Sequence, residues 1–170
     1  MDILIENVGV LRPDQGDVLE GQNMVVEGNR IARVTPDPVE PGPETKTFSG
    51  EDRLLIPGLI SAHSHSPENF LKARIEAVPL ELWLVDLFNS SFSFTEREVY
   101  LAAMVGAIEM LKTGGTGIVD HMWVNEAMNE PALDAVMRAY RDVGIRAAVA
   151  PLVEDDHRIN KMILEQNPEL

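Results

Sequence analysis

Leu55-Ile56-Pro57-Gly58-Leu59-Ile60-Ser61-Ala62-His63-Ser64-His65 sets two imidazoles two residues apart at the end of an apolar run. On a β-strand, residues i and i+2 point to the same side with Cα atoms about 7 Å apart, so both rings can converge on one ion. Neutral imidazole is the commonest side-chain metal ligand, and a catalytic ion needs few enough protein ligands to leave room for water. Two histidines at this spacing also arise by chance and then sit solvated, so the context matters. Pro57-Gly58 sets a turn, Leu59 and Ile60 read as a short buried strand, and the histidines fall where that strand ends. Parallel α/β barrels place their chemistry at strand C-termini. The stretch therefore reads as half a metal site, with His63 and His65 as the ligands.

Downstream of Leu54 the pattern is strand, helix, strand, helix. Leu80 to Phe88 is apolar on most sides and suggests a short, largely buried helix. Thr95-Glu96-Arg97-Glu98 is a capping box, and Gly114-Gly115 suits a helix end, which predicts a helix from about Glu96 to Thr113. Thr116 to Asp120 reads as a second strand. Glu130 to Val143 carries Leu133, Val136, Met137 and Tyr140 at helical spacing and is closed by Gly144, before a third strand from Ile145 to Ala150. Regular β/α alternation implies parallel strands joined by crossovers.

Upstream lies a different zone. Ile3-Leu4-Ile5, Val8-Gly9-Val10, Met24-Val25-Val26 and Ile31-Ala32-Arg33-Val34 are short β-type runs, with hairpin chemistry at Glu27-Gly28-Asn29-Arg30. The proline-rich segment from Pro36 to Pro43 reads as an exposed connection.

The chain has no cysteine, which excludes disulfides and thiolate metal sites. Its 28 acidic and 14 basic residues give a net charge of −14, which argues against nucleic acid or an anionic membrane as a partner. With no basic-then-apolar leader and no apolar run of spanning length, the expected location is cytoplasmic. A full eight-stranded barrel takes about 250 residues, whereas this chain has 170.

At the histidine motif the likeness becomes specific. PGLISAHSH resembles the Pro-Gly-(Leu/Phe)-(Ile/Val)-x-x-His-x-His signature of the amidohydrolase superfamily. The following segment, PENFLKARIEAVPLELWL, resembles the loop and helix of the branch that holds cytosine deaminase, S-adenosylhomocysteine/methylthioadenosine deaminase and the triazine hydrolases. Its "LPL-x-x-WL" is matched by Val78-Pro79-Leu80-Glu81-Leu82-Trp83-Leu84. EMLKTGGTGIVDHM and GIRAAVAP are similar to the family's approaches to the second and third barrel strands. The resemblance implies N-terminal β-sandwich strands (residues 1–53) followed by the first three β/α units of an incomplete TIM (β/α)8 barrel (residues 54–170).

It further implies a metal-dependent hydrolase acting on C–N or C–Cl bonds of a nitrogen heterocycle, with water activated by one divalent ion, zinc or iron, as nucleophile. In such enzymes the ion is held by two histidines of the first strand, one of the fifth and an aspartate of the eighth, and the acid/base residues come from later strands. Only His63 and His65 map onto this chain. The catalytic residues are thus expected outside it, and the isolated chain is expected to be inactive. Three strands leave two open edges and an uncovered inner face. The remainder of the barrel is expected from a longer chain, which we favour, from a second subunit completing a split barrel, or from self-association as a homo-oligomer. The competing functional class is a non-catalytic fragment or partner-binding module.

Trp83 matches the family's tryptophan near the substrate, although its flanking leucines suit a core position equally well. His121, after Asp120 at the end of the second strand, can contact substrate or serve a structural hydrogen bond. Asp120 reads as a strand-end acceptor rather than a ligand. Glu68 and Asn69, on the loop after the motif, can face a pocket, with Asn69 taken as a substrate contact. Lys72 and Arg74 can attract an anionic group or remain solvated, and His157 reads as an exposed loop residue.

Overall fold

The computed structural model describes residues 2–74, 77–90, 94–123 and 130–152, with the side chains of 88–90 left out. His157 and the acidic run before it lie outside the described residues. The chain divides into two compact units, Met1–Pro57 and Gly58–Leu170.

In the first unit, β1 (Ile3–Arg12), β2 (Asp17–Glu27), β3 (Arg30–Thr35), β4 (Lys46–Ser49) and β5 (Leu54–Leu55) form one sheet in the order β3-β2-β1-β4. β4 and β5 both pair with β1, in parallel, at successive places along it. The predicted two-residue hairpin joins β2 to β3, and Gly28 takes the positive φ of 60° that such a turn demands. The two runs read separately at Ile3–Ile5 and Val8–Val10 are one strand, carried through a bulge at which Asn7 adopts φ 54° and its N–H donates to Asn23 Oδ1 (3.1 Å). Leu4, Val8 and Met24 are the buried apolar residues of this sheet. The expected β-sandwich strands form a single five-stranded sheet among the described residues, and Ile31, Phe48 and Leu54 stay exposed. The boundary also moves. The sequence reading opened the second unit at residue 54, but Leu54 and Leu55 pair with Gly9 and Val10, so the first unit extends through Pro57.

The second unit contains β6 (Leu59–Ser64), a 3-10 turn (Ser66–Leu71), α1 (Leu80–Ser90), α2 (Glu96–Lys112), β7 (Gly115–Asp120), α3 (Glu130–Val143) and β8 (Arg146–Val149). The strands pair in parallel in the order β6-β7-β8, as the alternation predicts. Thr95 Oγ1 accepts from the Glu98 N–H (3.3 Å) and Glu98 Oε2 accepts from the Thr95 N–H (2.8 Å), so the capping box starts α2 where expected. Alanines make close packing of α2 and α3 possible: Ala103, Ala107, Ala132, Ala135 and Ala139 are buried together with Val99, Val136, Ile118 and Tyr140.

Two burial expectations fail. Leu59 and Ile60 are 59% and 72% exposed, because β6 is an edge strand with β7 as its partner among the described residues. α1 buries Leu87 and partly covers Trp83 and Leu84, while Leu80, Leu82 and Val85 face outward, so it is amphipathic rather than largely buried.

Candidate functional site

β6 and β7 end level with each other, Ser64 pairing with Asp120. This register brings the three histidines of the described residues together. The His63 and His65 ring centroids are 4.7 Å apart at an interplanar angle of 88°, and His121 stands 4.9 Å from His63 and 6.1 Å from His65. The two motif rings therefore gather on one side of the strand end.

His65 Nδ1 lies 2.8 Å from the His121 carbonyl oxygen. A carbonyl can only accept, so the proton sits on Nδ1 and the lone pair is left on Nε2. That is how a metal-binding imidazole is typically held, its second nitrogen donating to a fixed acceptor. The His121 N–H in turn donates to the Ser64 carbonyl (2.7 Å).

Asp120 is fully buried. Its Oδ1 accepts from the Ser66 N–H (2.9 Å) and its Oδ2 from the Tyr140 hydroxyl (2.6 Å), so it acts as the strand-end acceptor expected of it. Burial, followed by the neighbouring Asp120 charge, pushes the Tyr140 phenol far above its ordinary pKa, which keeps the hydroxyl a donor. Among the described residues, no group of three or more His, Asp or Glu side chains is disposed to hold a metal ion. The two motif imidazoles lie with their ring centroids 4.7 Å apart.

A cavity of about 520 Å³ opens beside His65 and His121, walled by Trp83, Trp123, Leu84 and Leu87, with Glu68 and Pro151 at its margin. Burial raises the Glu68 carboxyl above its ordinary pKa; the His65 charge opposes the shift and Asp120 adds to it. Trp83 and His121 both line this cavity. Asn69 does not line it. Its amide nitrogen donates to the Ser66 carbonyl (2.9 Å), and its side chain rests where a Cβ on Gly106 of α2 would stand, so it is packed under the turn instead. Lys72 pairs with Glu109, and Arg74 lies 3.8 Å from Asp86, which accounts for both cations on the exposed surface. Trp123 escaped the sequence reading. Its signal was its place two residues beyond His121, where extended chain would return a side chain to the same face.

Residues 54–165 match the amidohydrolase family. This chain belongs to that family. The amidohydrolase chain is 30% identical over 176 residues to the 5-methylthioadenosine/S-adenosylhomocysteine deaminase of Caldanaerobacter subterraneus subsp. tengcongensis, covering 100% of this chain and 38% of the relative. It is 32% identical over 133 residues to a 5'-deoxyadenosine deaminase of Methanococcus maripaludis strain C5, covering 76% and 29%. Among solved structures it is similar to atrazine chlorohydrolase TrzN of Arthrobacter aurescens TC1 complexed with zinc (TM-score 0.76, 27% identity, 87% of this chain and 35% of that one). It is also similar to an adenosine deaminase of Xanthomonas campestris with bound zinc (TM-score 0.71, 28% identity, 86% and 33%). The chain thus spans between 29% and 38% of the length of these relatives. No helix among the described residues is long and apolar enough to cross a membrane.

Proposed function

We propose that this chain is the N-terminal portion of a metal-dependent hydrolase that breaks a C–N or C–Cl bond on a nitrogen heterocycle, with deamination of an adenosine-type nucleoside as the leading case. The observation that carries the reading is the His63–His65 pair. Its rings lie 4.7 Å apart, and His65 is locked by the His121 carbonyl with Nε2 left to ligate. His63 and His65 would hold one divalent ion, zinc or iron, both of which suit imidazole. Such an ion supplies the Lewis acidity that brings the pKa of a water nucleophile toward neutrality. Two relatives whose structures contain zinc support the choice of metal.

The rest is done by the chain's own residues. Trp83 and Trp123 present flat apolar surface to the cavity, which suits a planar heterocycle, and its volume falls in the range of small-molecule sites. His121 holds His65 through its backbone and can touch substrate through its ring. Glu68 can hold a proton at the cavity margin, because burial favours its neutral form. The remaining ligands and the acid/base groups come from the rest of the barrel, in a longer chain or a second subunit. Two imidazoles leave most of a coordination sphere to water, so the 170-residue chain alone binds metal weakly and does not turn over.

The test is to assay the chain, with zinc and again with iron, for ammonia release from adenosine-type nucleosides, alone and as part of a complete barrel. Turnover only in the complete barrel, abolished by His63→Ala, supports the proposal. Turnover by the isolated chain, or a complete barrel that keeps its metal without His63, overturns it.

A further inference from the structure

We infer that Asp120 is a positioning residue for His65. Three hydrogen bonds tie His65 and its flanking peptide groups to the dipeptide Asp120-His121. The peptide before His65 is held through the Ser64 carbonyl, which accepts from the His121 N–H (2.7 Å). The peptide after it is held through the Ser66 N–H, which donates to Asp120 Oδ1 (2.9 Å). The ring itself is held through Nδ1 on the His121 carbonyl (2.8 Å). Of the three anchors, two are backbone groups, and only the carboxylate of Asp120 is supplied by a side chain.

That carboxylate is in turn fixed from α3, where the Tyr140 hydroxyl donates to Oδ2 (2.6 Å). A fully buried carboxylate is unfavourable unless its oxygens are bonded, and an apolar side chain would pack there at lower cost. What it holds accounts for a carboxylate at this buried position. Without an acceptor for the Ser66 N–H, the turn leaving β6 keeps its internal bonds, from the Glu68 N–H to the His65 carbonyl (3.1 Å) and from Asn69 to the Ser66 carbonyl, but loses its side-chain tie to the end of β7, and the alignment of Nδ1 with the His121 carbonyl is loosened. Asp120 thereby sets which ring nitrogen carries the proton and where Nε2 points. The purpose of that orientation rests on the metal reading, but its existence does not.

The test is long-range 1H–15N correlation of the histidine rings in the 170-residue chain, without metal, at a pH where the imidazoles are neutral. In the unaltered chain His65 carries its proton on Nδ1. Asp120→Ala is expected to lose this pattern, its two ring nitrogens moving toward the averaged shifts of a free imidazole. Asp120→Asn keeps an acceptor for Ser66 and can donate to the Tyr140 oxygen, so it restores the pattern. Val136→Ala loosens the same helix core and leaves His65 unchanged, which separates positioning from general destabilisation.

If Asp120→Ala does not fold, Tyr140→Phe takes its place, and a weakened Nδ1–H signal is expected. The inference is overturned by mixed tautomers in the unaltered chain, or by an unaltered His65 pattern in folded Asp120→Ala. An unaltered pattern in Tyr140→Phe, where that variant is needed, has the same force, as do failure of Asp120→Asn to restore the signal and its equal loss in Val136→Ala. Absence of zinc binding by a complete barrel would count against the proposed function and leave this inference intact.

Discussion

Gly58 sits at the head of β6, and its replacement by alanine should weaken the second unit through Thr116. A Cβ on Gly58 overlaps Thr116 Cγ2 and Oγ1 and comes within 2.8 Å of Thr116 Cβ. Thr116 is β-branched, stiff at χ1 and set in β7, so it has little room to give way. Gly58 has no positive φ, so close approach, and not backbone conformation, is what requires glycine. Overpacking of this kind costs about 1–3 kcal/mol. With a urea dependence of about 2 kcal/mol per molar, a loss of about 2 kcal/mol moves the unfolding midpoint down by roughly 1 M. Both tryptophans of the chain, Trp83 and Trp123, belong to the second unit, so intrinsic fluorescence follows its unfolding selectively. Thr116→Ala in the Gly58→Ala background should recover part of the loss, with a coupling of at least about 0.5 kcal/mol. An unchanged midpoint in Gly58→Ala, or strict additivity of the two substitutions, would refute the close-approach argument.

Tyr140→Phe removes one bond to a buried carboxylate and should lower stability by about 1.5–3 kcal/mol, read by calorimetry; no change would mean the 2.6 Å contact is not maintained in solution. Thr95→Ala removes the cap of α2 and should lower stability by about 1 kcal/mol, measured by urea titration. Bonds from the Thr95 N–H and hydroxyl hold Glu98 below its ordinary value of 4.5, so its stabilising contribution is present above that value and is lost as pH falls through the depressed one. Glu98→Gln should flatten this part of the acid stability profile, and an unchanged profile would contradict the assignment. His63→Ala in a complete enzyme should strip the metal along with activity, as elemental analysis would show.

Much of the fold was legible because its signals are local. The capping box at Thr95 and Glu98, the closing Gly144 and the hairpin at Gly28-Asn29 each act within a few residues, and each element begins or ends where they said. Burial was less legible, because it depends on what covers a face. An apolar run such as Leu59-Ile60 reads as core whether or not a neighbour is present. Within the site, the spacing of His63 and His65 predicts that their rings converge, although β6 ends at Ser64 and its pairing with β7 slips between Ser61 and Ser64. The partners of Asp120 are 20 and 54 residues away, and no local pattern announces them. The packing of Asn69 was hidden for the same reason: the space that receives it is the missing side chain of Gly106, on another element.

The uncovered flank of β6 has a practical corollary for anyone producing this polypeptide. An edge that, among the described residues, pairs only with β7 and displays Leu59 and Ile60 is a template for unwanted strand addition. Overexpressed by itself, the polypeptide should self-associate as its concentration rises, and on the proposed reading co-production with the rest of a barrel should raise soluble yield.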